Sequence, residues 1–145
     1  MPPVVATAEV DRPAEDVFAY TTDPTRFAEW QAGVVSGRMD GAEVGARCVT
    51  VRRLGGAERP STSELVRMEP PRAWAVRGTD GPIRAAVDVT VEPLGADRSK
   101  VAIAVDFTGH GIGKLLVPLV VRREARKEMP ANLARLKERL EARPS

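Results

Sequence analysis

Between residues 112 and 140, nine positions recur at alternating steps of three and four: Ile112, Leu115, Leu119, Arg122, Arg126, Met129, Leu133, Leu136 and Leu140. Seven of the nine are apolar. Side chains at i, i+3 and i+4 stand on one face of an α-helix, so the pattern predicts one long helix with a single buried stripe. Upstream the period changes. Apart from a short helical stretch near the start, apolar and polar residues alternate in short runs, as they do along half-buried strands. A helix with one apolar face and a sheet with one apolar face can each cover the other. The chain is therefore expected to be a β-rich body closed by a C-terminal helix, with room for a cavity between the two layers.

The expected strands are 4–10, 34–39, 47–54, 63–68, 73–78, 83–92 and 100–108. In 83–92, Ala85, Val87, Val89 and Val91 share one face, and Arg84, Asp88, Thr90 and Glu92 share the other. In 100–108, Val101, Ile103, Val105 and Phe107 share a face. Such alternation belongs to antiparallel sheets with one face buried. Turn signals separate the runs: Gly55-Gly56, Pro70-Pro71 and Asp80-Gly81-Pro82. Two short helices are expected after the first strand. Pro13 opens one from its first turn, and Asp23-Pro24 supplies an N-cap and first-turn proline for the other. Pro130 removes a helical hydrogen bond and crowds the carbonyl of Arg126, which predicts a kink there. Pro118 falls early enough to mark the start of the regular helix, leaving 112–117 as a separate turn.

A chain of 145 residues is expected to form one domain, 1–145, burying roughly 70% of its unfolded surface. Its net charge of +2 does not imply strong nonspecific binding to nucleic acid, and the cations of 122–145 are interspersed with Glu124, Glu128, Glu138 and Glu141, as on a solvated helix face. Residues 1–6 lack the basic and apolar regions of a signal peptide, and no apolar run is long enough for a transmembrane helix. A soluble cytoplasmic protein, monomer or homodimer, is the expectation. The one cysteine, Cys48, forms no intrachain disulfide and reads as a small buried hydrophobe.

The order strand, two short helices, six strands, long helix resembles the START-like or SRPBCC superfamily, the helix-grip fold. Four segments carry the likeness: 10–18 around Asp11-Arg12-Pro13, 22–30 from Asp23-Pro24 to Trp30, 69–78 from Glu69-Pro70-Pro71-Arg72 to Gly78, and the two ends of the terminal helix. No single motif is specific; the ordered set is. The resemblance implies an α+β fold in which a seven-stranded antiparallel sheet wraps around the C-terminal helix. It implies a hydrophobic cavity between them that takes a small molecule: a lipid, a polyketide or an isoprenoid-like compound. Members include polyketide cyclases and aromatases as well as lipid binders. The superfamily shares no catalytic motif, so no catalytic residue carries over.

The expected ligand contacts are Trp30, Val51, Trp74, Val89, Phe107, Leu119 and Met129, large apolar groups suited to an apolar guest. Arg122 and Arg126 fall on the helical stripe and would have to pair with an acid, reach water, or grip a ligand carboxylate, phosphate or phenolate. His110 is the only histidine and lies in the Gly-rich stretch 109–113, where it reads as part of a connector or as a general base at the cavity mouth. One His and one Cys leave no multi-histidine or cysteine metal cluster, and neither a metal nor a cofactor is expected. Asp88 and Asp106 alternate with apolar positions and should face away from them. Tyr20 reads as helix packing. Two functional classes remain open: a binder or carrier of a hydrophobic molecule, and a cyclase, dehydratase or aromatase that folds a reactive chain by positioning it, with Arg122 or Arg126 stabilising an enolate. A protein-interaction or regulatory module is a third.

Overall fold

The computed structural model describes residues 3–54 and 56–143. Seven strands, β1 Val4–Val10, β2 Val34–Met39, β3 Arg47–Leu54, β4 Ala57–Glu69, β5 Ala73–Gly78, β6 Ile83–Gly95 and β7 Arg98–Gly109, form one antiparallel sheet in the order β1-β7-β6-β5-β4-β3-β2. Helices α1 (Ala14–Thr21) and α2 (Phe27–Trp30), joined by a 3₁₀ turn at Pro24–Arg26, connect the edge strand β1 to the edge strand β2. The chain ends in α3 (Gly113–Leu116), a π turn at Val117–Val121, and α4 (Arg122–Ala142). This is the helix-grip fold. No helix among the described residues is long and apolar enough to cross a membrane.

Local chemistry explains the connections. Asp23 Oδ1 accepts from the Thr25 amide at 3.0 Å and from its hydroxyl at 2.6 Å, fixing the turn that leads to α2. Strand β4 starts six residues earlier than expected, running through Pro60. Residues 57–62 pair only with β3, because β5 joins at Ser63, and proline is tolerated where one strand edge is open.

Cross-strand partners share a face, so the register arranges the inner surface in rows. Met68, Trp74, Val89, Ile103 and Ala6 make one row; Ala46, Leu65, Val76, Val87, Val105 and Val4 make the next. Met129, Leu133, Leu136 and Leu140 of α4 cover the buried rows, with Val17 and Phe18 of α1 and Phe27 and Trp30 of α2. Phe27 stands edge-on to both Trp30 (5.8 Å) and Trp74 (6.4 Å), tying α2 to the sheet.

The terminal helix departs from the single expected stripe. Its second half follows it: Met129, Leu133, Leu136 and Leu140 are buried. In the first half Ile112, Leu115 and Leu119 are exposed, Leu119 by 68%, while Gly113 and Val117 are buried. The π turn holds one extra residue per turn, so Val117 and Arg122, five apart, come to lie on the same side. Leu119 is thereby turned outward. Pro130 neither ends nor divides α4; the irregular stretch falls at Pro118 instead. Pro130 is solvent-exposed, where water satisfies the carbonyl it leaves without a donor.

Candidate functional site

Burial along the concave face falls away from the core. In the first row Trp74, Val89, Ile103 and Ala6 are buried. In the second, Val87 and Val105 are half-buried. A third row runs Met39, Cys48, Ser63, Gly78 and, across β6 and β7, Ala85 and Phe107. Its centre is small: Ser63, Gly78 and Ala85. All three are half-buried, as is Phe107. Small side chains lower the floor there, and the irregular half of the terminal helix packs on the neighbouring β7. Phe107 and Val87 on the sheet and Ala125 on the helix are half-buried, while Val117 and Met129 are buried. Among the described residues one hollow of about 240 Å³ lies beside Arg12, Tyr20 and Arg143, and another of about 370 Å³ lies beside Thr62, Ser63 and Asp80.

The expected contact residues separate into three groups. Trp74, Val89 and Met129 line the inside of the fold, with Trp30 packed beside them, and Phe107 is half-buried in the small-residue row. Leu119 and Arg126 are exposed and do not enter the sheet–helix interface. Val51 points to the opposite, convex face. Cys48, Thr50 and Arg52 alternate with it, and Cys48 belongs to the core. Over 49–52 the valines lie outside and Thr50 and Arg52 inside, which reverses the usual reading of an alternating strand. The inward residues Thr50 and Arg52 were therefore missed, and only the register could reveal them.

Arg122 is 3% exposed and its Nη1 lies 3.5 Å from Asp106 Oδ1. A carboxylate of the protein itself engages this guanidinium at the β7 edge. Arg52 differs. It is half-buried on the concave face, and its Nη2 donates to Gln31 Oε1 at 3.4 Å. Burial pushes its pKa down from the ordinary arginine value, against the opposing influence of Glu128 on α4 and of Cys48.

Burial pushes the Cys48 thiol up, against a hydrogen bond with Ser63 and the charge of Arg52, so the thiol stays protonated and unreactive. His110 is exposed in the connector, its backbone amide donating to Pro82 O at 2.7 Å. Asp88 faces outward and pairs with Arg77 at 3.4 Å. Among the described residues no three of His, Cys, Asp and Glu converge as metal ligands would.

This geometry has known counterparts. The family described as polyketide cyclase/dehydrase and lipid transport matches residues 1–141. The chain belongs to that family. No curated protein matches it in sequence. Three solved structures show how far the fold of this family member is shared. The Zhui aromatase/cyclase from Streptomyces sp. R1128 is 16% identical with a TM-score of 0.80, over 96% of this chain and 93% of that one. TTHA0849 from Thermus thermophilus is 21% identical with a TM-score of 0.78, over 99% of this chain and 100% of that one. BexL, a di-domain aromatase/cyclase from the BE-7585A biosynthetic pathway, is 18% identical with a TM-score of 0.77. There the match covers 97% of this chain but 47% of BexL, so this polyketide cyclase/dehydrase family member spans about half of that protein.

Proposed function

We propose that this chain binds a hydrophobic small molecule, of lipid, polyketide or isoprenoid type, in a cleft between the concave face of the sheet and the first half of the terminal helix. The observation that carries the reading is the third row. Small residues stand in its centre, half-buried apolar residues flank them, and the irregular start of the terminal helix packs on β7 beside them. Apolar surface left half-covered in a concave site is what an apolar guest would complete. Membership of a family that includes lipid transport supports it.

Native mass spectrometry of freshly purified protein, compared with its denatured mass, tests this directly. A bound species of a few hundred daltons is expected. Ala85→Trp fills the cleft floor and should abolish that adduct while the protein stays folded. An adduct that survives Ala85→Trp would remove the cleft as its site.

A second reading is a cyclase, dehydratase or aromatase that folds a reactive chain in the same cleft. The likeness to Zhui and BexL favours it, together with the polar inner residues Thr50, Ser61, Ser63 and Arg52 opposite the apolar wall. Enolate stabilisation by Arg122 gains no support, because Asp106 already engages it; Arg126 points to solvent. Turnover of a poly-β-ketone thioester by the wild type, lost on Ala85→Trp, is the outcome that would establish this reading over simple binding.

A further inference from the structure

Beyond Thr50 the inner face of β3 carries Arg52, and its register partner on β4 is Arg59. Like charges directly opposite on neighbouring strands repel. Proteins normally answer such a pair with an acid, and the adjacent Arg53 has one, pairing with Glu58 at 3.5 Å. Among the described residues, no carboxylate lies within ion-pair distance of Arg52 or Arg59. The one hydrogen bond Arg52 makes is a long one to the neutral Gln31 amide. Arg52 lies four residues along β3 from Cys48 in the small-residue row, about 13 Å for an extended chain. These two cations, with Glu128 of α4 close enough to act on Arg52 but outside ion-pair distance, thus stand on the concave face beyond the small-residue row.

We propose that Arg52, with Arg59 beside it, receives the anionic head of a ligand whose apolar body lies along Ala85, Val87 and Phe107. The ligand is then an amphipathic anion with a carboxylate or phosphate-monoester head, not a neutral hydrocarbon or alcohol. A guanidinium presents a planar fork of donors that matches either head, and partial desolvation strengthens the contact. Burial lowers the Arg52 pKa against the charge of Glu128, as for a guanidinium drawn partly out of water. This inference rests on the cleft-binding reading and narrows it.

The test compares dodecanoate, dodecyl phosphate and dodecanol, three guests with one apolar body, by titration calorimetry below their micelle concentrations. At least one anion should bind about tenfold or more tighter than dodecanol, the scale of a charge-assisted hydrogen bond. The preferred anion identifies the head. In Arg52→Gln that preference should vanish while dodecanol affinity stays within about twofold, which also shows the cleft intact. Arg52→Lys keeps the charge without the fork and should retain part of the preference. Arg59→Gln, at an exposed position, should lose less than Arg52→Gln and become less sensitive to salt. Equal binding of all three guests to the wild type would overturn the anion site and leave cleft binding standing. So would an undiminished preference in Arg52→Gln. An equal loss for all three guests in that variant would make Arg52 a structural residue only. If no guest bound at all, the cleft reading and the inference would fall together.

Discussion

Tyr20 donates its hydroxyl proton to Glu29 Oε1 at 2.9 Å, joining α1 to α2 across the covered end of the sheet. Burial and the neighbouring carboxylate push the Tyr20 pKa from 10.0 up to about 12. Burial alone would raise Glu29, but hydrogen bonds from Tyr20 and Arg26 outweigh it and hold the carboxyl below its ordinary range. The two shifts bound a pH window. A raised phenol pKa contributes stability that is complete below about pH 10 and lost as pH rises toward about 12. A depressed carboxyl pKa contributes stability present above the unfolded value of 4.5 and lost as pH falls through the folded one. Tyr20→Phe should therefore cost about 1 kcal/mol near neutrality. The difference from wild type should shrink in acid and again in strong alkali, as read from urea midpoints at several pH values. A difference constant across pH would mean that the hydroxyl acts without coupling to the charge on Glu29. Among single residues the sequence was legible where residue type and burial agree: Cys48, Tyr20, Trp74 and Met129 lie inside as expected. It misled at β3. Val51 is apolar and faces outward, whereas Arg52 is charged and faces the concave side, because the register with β4 outranks local hydrophobicity. A single strand carries no mark of which face the sheet will bury.

The terminal helix shows the same limit one level up. Its regular half, from Arg122 onward, obeys the 3.6-residue period, and Met129, Leu133, Leu136 and Leu140 were readable from spacing alone. Ahead of it the π turn adds a residue, which no count of apolar spacings registers. The visible signal was Pro118, whose missing amide makes a regular α-helical ladder impossible at that point. The altered phase makes a paired prediction. Val117→Ser buries a hydroxyl and removes packed methyl groups, and should cost about 2 kcal/mol. Leu119→Ser should change stability by no more than about 0.5 kcal/mol, although the uninterrupted stripe would make it the costlier change. Chemical denaturation of the two variants side by side decides the phase: a larger loss for Leu119→Ser would restore the single stripe. Gly113 anchors the start of the same helix. A Cβ there would collide with the carbonyl of Pro82 in the β5–β6 turn, so the helix can approach the sheet end only through glycine.

Across the assembled chain, alternation and order of elements were enough to reach the helix-grip fold, because one curled sheet and one amphipathic helix have few ways to cover each other. The shape of the space between them was not legible. It depends on which row carries small residues, and that row is assembled from strands far apart in sequence: Ser63, Gly78, Ala85 and Phe107. The molecule has one tightly packed end, closed by α1, α2 and the second half of α4, and one loosely covered end beneath the π turn. Local stability should follow the same division, since openings begin where apolar contacts are fewest. Hydrogen exchange with and without a bound apolar guest reads it out. At a hundredfold excess over Kd the guest adds about 2.7 kcal/mol to any opening that releases it. Amides of 114–125, which exchange by lifting the first half of the helix from the sheet, should then slow by up to about a hundredfold. Amides that exchange by fraying of α1, remote from the cleft, should not change. Slowing confined to the most protected core, with 114–125 unaffected, would mean that the guest binds without touching the helix, and would move the site away from the cleft to another surface, such as the hollow beside Arg12 and Arg143.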